Sequence, residues 1–456
     1  MERDIFDNLS PIDYRYKDPE VEKYLSENAF TKYKLQVECA LAIALAHFGI
    51  CTSEDVTAIE IACEHITTDE VYAEEKRIKH DIRALVNCIR KRVPEKTKPF
   101  VHMTATSYDI IDTANAMRYR DVVQKVLIPN LKERLRILTE ISIREAETLQ
   151  IGRTHGQHAV PITFGFAMSG YVSRLGKSIV HLQSLVEELP GKFSGAVGAY
   201  NSSSLFLNDP EEFEAVVLRG LGLKPAEHST QIVPPESLTR LFCEVTIVAG
   251  ILANLADDMR HLQRTEIGEV GEPVGESQVG SSTMPQKRNP INFENAKSLW
   301  KVVMPRIVTI FMDQISEHQR DLTNSASSRT YGEMIAYTVS ATKRLTTIME
   351  RLSVDRENMD INLRREKNLA AEPLYLILAA LGYPDAHEAV RVATVRAREA
   401  GLPLSTFAGQ DQELGEYFKK MSPVQWAIIV DPTFSYFGLA VKKAKDIARN
   451  WRARLL

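Results

Sequence analysis

A chain of 456 residues, 44% hydrophobic and 25% charged, can bury a large core and has ordinary globular composition rather than that of a fibrous or disordered chain. Its net charge of −4 offers no general attraction to nucleic acid or an anionic membrane, and the short basic cluster Arg90, Lys91, Arg92, Lys96 and Lys98 reads as solvated surface. Five scattered cysteines without a CxxC pair, and a charged N-terminus without the apolar core of a signal peptide, point to free thiols and a cytoplasmic location.

Residues 1–108 are expected to form a small helical domain, because short apolar-periodic segments are broken by Gly49, Pro94 and Pro99. Longer helices follow. One is predicted over 113–149, bent near Pro129, and another over 161–189, closed by Pro190-Gly191. The clearest periodicity lies over 235–265. Leu238, Val245, Leu252 and Met259 recur every seven residues, as do Leu241, Val248, Leu255 and Leu262, and Phe242, Ala249 and Ala256 widen the stripe. Such spacing favours near-parallel, coiled-coil-like packing, here expected against equivalent helices of other subunits. The apolar stretches near Cys39 and Val245 are shorter than the roughly 20 residues that span a bilayer. Further helices are expected over 290–319 and 331–352. From 358 the segments shorten again, with breaks at Pro373, Pro384, Pro403 and Pro432. The expected architecture is all-α: a central bundle of long helices over 109–357, elongated, between an N-terminal and a C-terminal helical domain.

Two segments carry chemistry-bearing residues. In Gly280-Ser281-Ser282-Thr283-Met284-Pro285-Gln286-Lys287-Arg288-Asn289-Pro290, serine hydroxyls, two adjacent cations and amide side chains share one loop. Gly268, Gly271, Gly275 and Gly280 would let it move and close over an anion. In Gly152-Arg153-Thr154-His155-Gly156-Gln157-His158, an imidazole can act as acid near neutral pH. His155 and His158 form an HxxH pair, but with no Cys or carboxylate ligand nearby in sequence no metal site is assigned.

The loop matches GSSxMPxKxNP and so resembles the fumarase/aspartase superfamily, whose members release fumarate by β-elimination from a succinyl skeleton. That resemblance implies Ser281 as the base and Ser282, Lys287, Arg288 and Asn289 as substrate contacts. It makes His155 the acid that protonates the leaving group, oriented by Glu294. Four further segments are similar to the adenylosuccinate lyase family: Ser10-Pro11 through Arg15-Tyr16; Lys79-His80-Asp81; Val101-His102 followed by Thr106-Ser107; and Glu317-His318-Gln319-Arg320-Asp321 through Ser325 and Arg329. This likeness implies that Arg15, Tyr16, Arg320, Ser325 and Arg329 hold a nucleotide phosphate, for which guanidinium forks are suited. It places His80 at the scissile C–N bond, with Lys79 and Asp81 beside it. His102 would contact the substrate, Thr106 and Ser107 its carboxylates, and Gln231 its succinyl part.

The implied activity is cleavage of adenylosuccinate to AMP and fumarate, and of succinyl-aminoimidazole-carboxamide ribotide in the same pathway. No cofactor is implied, and the family's active sites are shared between subunits of a homotetramer. Where the family often has a basic residue after its Thr-Gln, Ile232-Val233-Pro234-Pro235-Glu236 follows Gln231 here. Argininosuccinate lyase, a carboxymuconate cycloisomerase and a catalytically silent scaffold are the alternatives.

Overall fold

Helices begin where side chains can satisfy free N–H groups. In the computed structural model, which describes residues 4–273 and 283–456, Ser26 caps the helix Glu27–His47 through the amide of Ala29. Thr52 and Asp55 form a reciprocal capping box ahead of Ser53–Glu64. Among the described residues the remaining regular structure is three two-stranded ladders, so the fold is all-α.

Two predicted helices differ in detail. The segment expected over 113–149 is Ser107–Val122 and Ile128–Arg144 joined by a π-helical turn, Val123–Leu127. Pro129 supplies no N–H to the preceding turn, and the widened turn just before it accommodates that loss. The segment expected to begin at Pro161 is helical only from Phe164 to Glu187. Pro161 instead lies in a β-hairpin of β1 (Leu149–Thr154) and β2 (Gln157–Thr163), opposite Ile151 and beside a register shift. A bulged two-stranded ladder is where a strand proline is tolerated.

The helix Glu236–Leu262 buries Leu241, Phe242, Val245, Val248, Leu252, Leu255, Ala256 and Met259 within its own chain. The expectation that this stripe meets other subunits is therefore corrected. A stripe three residues wide is a core surface, and neighbouring helices of the same chain cover it. This helix is also long and apolar enough to cross a bilayer, which the sequence reading did not allow for. Even so, 61% of its most apolar window is buried inside the fold, as expected of a core helix. Pro305 divides the segment expected over 290–319 into Ile291–Val303 and Arg306–Met312, with irregular chain from Asp313. The last predicted long helix is Tyr331–Glu350.

The chain forms two compact units. The first comprises Met1–Lys132, Lys177–Ala253 and Asn295–Arg344. Within it, Glu27–His47 packs on Ser53–Glu64 and Ser107–Val122. The second comprises Glu133–Gly176, Asn254–Glu294 and Leu345–Leu456. There the hairpin lies on Arg356–Arg365, and the last hundred residues build a core of their own around Leu374, Leu378, Val390, Leu404 and Ile429.

Candidate active site

In the second unit the hairpin turn consists of His155 and Gly156, with φ of +54° and +74°. Two positive φ values between paired strands make the primed turn that suits strand twist. They put the His155 imidazole at an exposed tip. Below the tip, Arg153 forks onto the fully buried Glu269, with Nη2 to Oε1 at 2.5 Å and Nη1 to Oε2 at 3.2 Å. Gln150 and Asn362 also donate to that carboxylate, at 2.7 and 3.0 Å. Sequence reading missed Glu269, because it lies 116 residues from Arg153. His158 turns away to Glu366, 3.8 Å distant. Among the described residues no group of three or more His, Cys, Asp or Glu is arranged around a metal-sized space.

Ser281 and Ser282 lie outside the described residues. The chain leading towards them is fastened. Gly268 has φ +58°, and its carbonyl and that of Ile267 accept from Asn358. Gly271 pairs with Ser353 in a short ladder. These two glycines serve close approach and strand pairing rather than hinge motion. On the far side Lys287 and Arg288 are exposed and Asn289 is half-buried. Glu272 ties the two ends together, accepting from the amides of Asn292 and Phe293 at 2.9 and 2.8 Å. Burial pushes its carboxyl up, against the pull of those bonds. Glu294 is exposed in the first turn of Ile291–Val303, and no hydrogen bond joins it to His155 within the chain among the described residues.

The first unit holds the other candidates. Lys79, at φ +62°, ends the helix Thr68–Ile78, and His80 caps the helix Asp81–Arg90. His80 Nδ1 accepts from the amide of Arg83 at 3.3 Å, so the neutral ring carries its proton on Nε2. Asp81 lies beside it, 3.5 Å from the same nitrogen. His102, also left-handed at φ +64°, sets Nδ1 2.7 Å from Glu38 Oε1. Thr106 and Ser107 open the helix Ser107–Val122, where Asp109 accepts from the Thr106 amide at 2.7 Å and pairs with the fully buried Lys192. The Thr-x-x-Asp spacing is a capping signal that sequence reading passed over.

Tyr16 accepts at its hydroxyl from Asn295 at 2.9 Å, and Arg15 next to it is exposed. Arg329 is exposed, 3.9 Å from Glu27, and Ser325 is exposed nearby in sequence. Arg320 lies over the Tyr108 ring at 4.3 Å and donates to its hydroxyl. Both line a cavity with Asp112, Asn115, Val233 and Tyr331. The stretch Ile232-Val233-Pro234-Pro235 forms one wall of it, next to the half-buried Gln231. The amide of Val233 donates to Asp112 at 2.9 Å, and burial pushes the Asp112 carboxyl up to about 6. Thus the departure after Gln231 is built into the cavity.

Among the described residues, His155, Lys287, Arg288, Asn289 and Glu294 belong to one compact unit, and the phosphate-type arginines with His80 and His102 to the other. Comparison with known proteins gives the chain a family. Residues 13–304 match the model of the lyase family, and residues 316–424 match that of the adenylosuccinate lyase C-terminal region. The second match covers much of the segment in which sequence reading found no motif. The chain is 37% identical to adenylosuccinate lyase of Pyrococcus abyssi over 90% of its length and 91% of that protein. It is 35% identical to that of Archaeoglobus fulgidus over 97% and 98%. Its fold resembles 3-carboxy-cis,cis-muconate lactonizing enzyme from Pseudomonas putida, with TM-score 0.84 and 25% identity over 97% of this chain and 99% of that one. On these matches the chain is a lyase and belongs to the adenylosuccinate lyase family.

Proposed function

We propose that this enzyme eliminates fumarate from adenylosuccinate to give AMP, and likewise from succinyl-aminoimidazole-carboxamide ribotide, in cytoplasmic purine synthesis. The observation that carries this reading is the near full-length likeness to adenylosuccinate lyases. The exposed His155 at the hairpin tip and the arginines of the first unit support it.

In the reaction, Ser281 takes the proton from the carbon beside a succinyl carboxylate. The electron pair gathers on that carboxylate as a dianion, which Lys287, Asn289 and loop N–H groups stabilise most in the transition state. As the pair returns to form the carbon–carbon double bond, the C–N bond breaks and His155 protonates the leaving nitrogen. Arg15, Tyr16, Arg320, Ser325 and Arg329 hold the phosphate. His80 with Lys79 and Asp81 flanks the scissile bond, and His102, Thr106, Ser107, Gln231, Ser282 and Arg288 bind the rest of the substrate. Glu294 orients His155, and it does so across a subunit boundary of a homotetramer. An exposed apolar run on Met304, Val308, Phe311, Met312 and Ile315 supports such an assembly.

Mixing the protein with adenylosuccinate and following ultraviolet absorbance tests the reading. Release of AMP and fumarate is expected, with argininosuccinate inert. Ser281→Ala should lower turnover by orders of magnitude and leave substrate binding nearly intact. His155→Ala should keep exchange of the carbon-bound proton with solvent while C–N cleavage stalls. Exchange lost in His155→Ala but kept in Ser281→Ala would reverse the two roles.

A further inference from the structure

Glu38 lies on the helix Glu27–His47 and is 2% exposed. A carboxylate that deep requires a partner, and its partner is His102, with Nδ1 2.7 Å from Oε1. The His102 side chain is 18% exposed, and its backbone takes the left-handed conformation that a non-glycine residue rarely adopts. Strain of that kind persists where surrounding structure holds the residue in place.

We propose that Glu38 is a positioning residue for His102: it holds the Nδ1–H and so presents Nε2–H as a charged donor to an anionic oxygen of the substrate, the class found in succinyl carboxylates. This rests on His102 contacting the substrate, as in the reading above. Three charged groups bear on the ring. Burial lowers its basicity, yet the charge and hydrogen bond of Glu38, with the charge of Asp109, outweigh both burial and the opposing Arg83, so the imidazolium persists to higher pH than usual. With Nδ1 engaged, Nε2 is the one ring nitrogen left for a ligand.

Glu38→Gln, which keeps the size and removes the charge, tests this in the intact enzyme. Expected are a fall in kcat/KM for adenylosuccinate of about tenfold to a hundredfold, chiefly through KM, as for loss of a charge-assisted bond. The alkaline limb of the pH profile should move to lower pH, because His102 then loses its proton earlier. Glu38→Asp should recover part of both effects. A double variant with His102→Gln should be no worse than His102→Gln alone. An unmoved alkaline limb, or additive losses in the double variant, would overturn the proposal and leave Glu38 a packing residue. If the wild-type chain cleaves no adenylosuccinate, the functional reading fails by itself. The pair is then decided by nuclear magnetic resonance on histidine-labelled protein, with the His102 signal assigned by its absence in His102→Gln. His102 should titrate at lower pH in Glu38→Gln than in wild type, and equal titration in both overturns the pair. Should Glu38→Gln not fold, Glu38→Asp against wild type reads the same two shifts.

Discussion

Removing one member of a buried charge pair leaves its partner stranded. Lys192 and Asp109 are both fully buried, and Lys192 also donates to the Gly195 carbonyl at 3.1 Å. Lys192→Met should destabilise the protein by about 3–5 kcal/mol at neutral pH, the cost of an uncompensated buried carboxylate. Burial already raises the Asp109 carboxyl against the pull of Lys192. The variant's loss should therefore shrink as acid protonates Asp109, which urea unfolding at pH 5 and pH 7 would show. Glu74 behaves in the opposite sense. Hydrogen bonds from Arg77, Asn87 and Lys91 lower its carboxyl from 4.5 to about 2. A depressed acid contributes stability that is complete above the unfolded value and is lost as pH falls through the folded one. Between pH 4.5 and about 2 the wild type should lose stability that Glu74→Gln never had, so their melting temperatures should converge on acidification.

At the scale of elements, two of the three glycines in the helix Phe164–Glu187 carry opposite expectations. A Cβ on Gly165 would meet the Ser142 carbonyl at 2.3 Å and Ala146 backbone at 2.7 Å, whereas one on Gly170 would meet nothing within 4 Å. Backbone cannot yield as a side-chain tip can. Gly165→Ala should therefore destabilise by about 1–3 kcal/mol, as overpacked sites do. Gly170→Ala should stabilise by roughly 0.5–1 kcal/mol through helix propensity. Denaturation midpoints of the two variants check the pair, and equal effects would mean that the helices do not approach this closely. The last residues of the hairpin, 161–163, read as helix in the sequence because apolar residues around Pro161 fit either period. Its turn needs positive φ at His155, which residue type alone does not announce.

For the whole molecule, the candidate residues lie in two compact units, and the proposed tetramer would bring them together from different chains. Mixed assemblies of Ser281→Ala and His155→Ala chains should then regain part of the activity that each lacks, since some sites draw both intact residues. Activity that stays absent in confirmed tetramers would place both groups in one chain. Replacing Val308 and Met312 together by lysine should yield smaller species in light scattering, because charge on an apolar contact face opposes association. An unchanged mass would remove that face from the interface.

The family and the helical character were legible in local signals: the loop motif over 280–290, the Arg-Thr-His segment, and heptad spacing over 235–265. These depend on residues close in sequence, so no packing was needed to read them. What covers the heptad stripe was a tertiary matter, because periodicity states that a face is apolar without naming its partner. The same holds for the supports of the candidate site. Glu38 meets His102 across 64 residues, Glu269 meets Arg153 across 116, and Asp112 meets the Val233 amide across 121. A lone Glu or Asp in a sequence is usually solvated surface. Only packing, by removing water from the carboxylate, decides that it must find one particular donor.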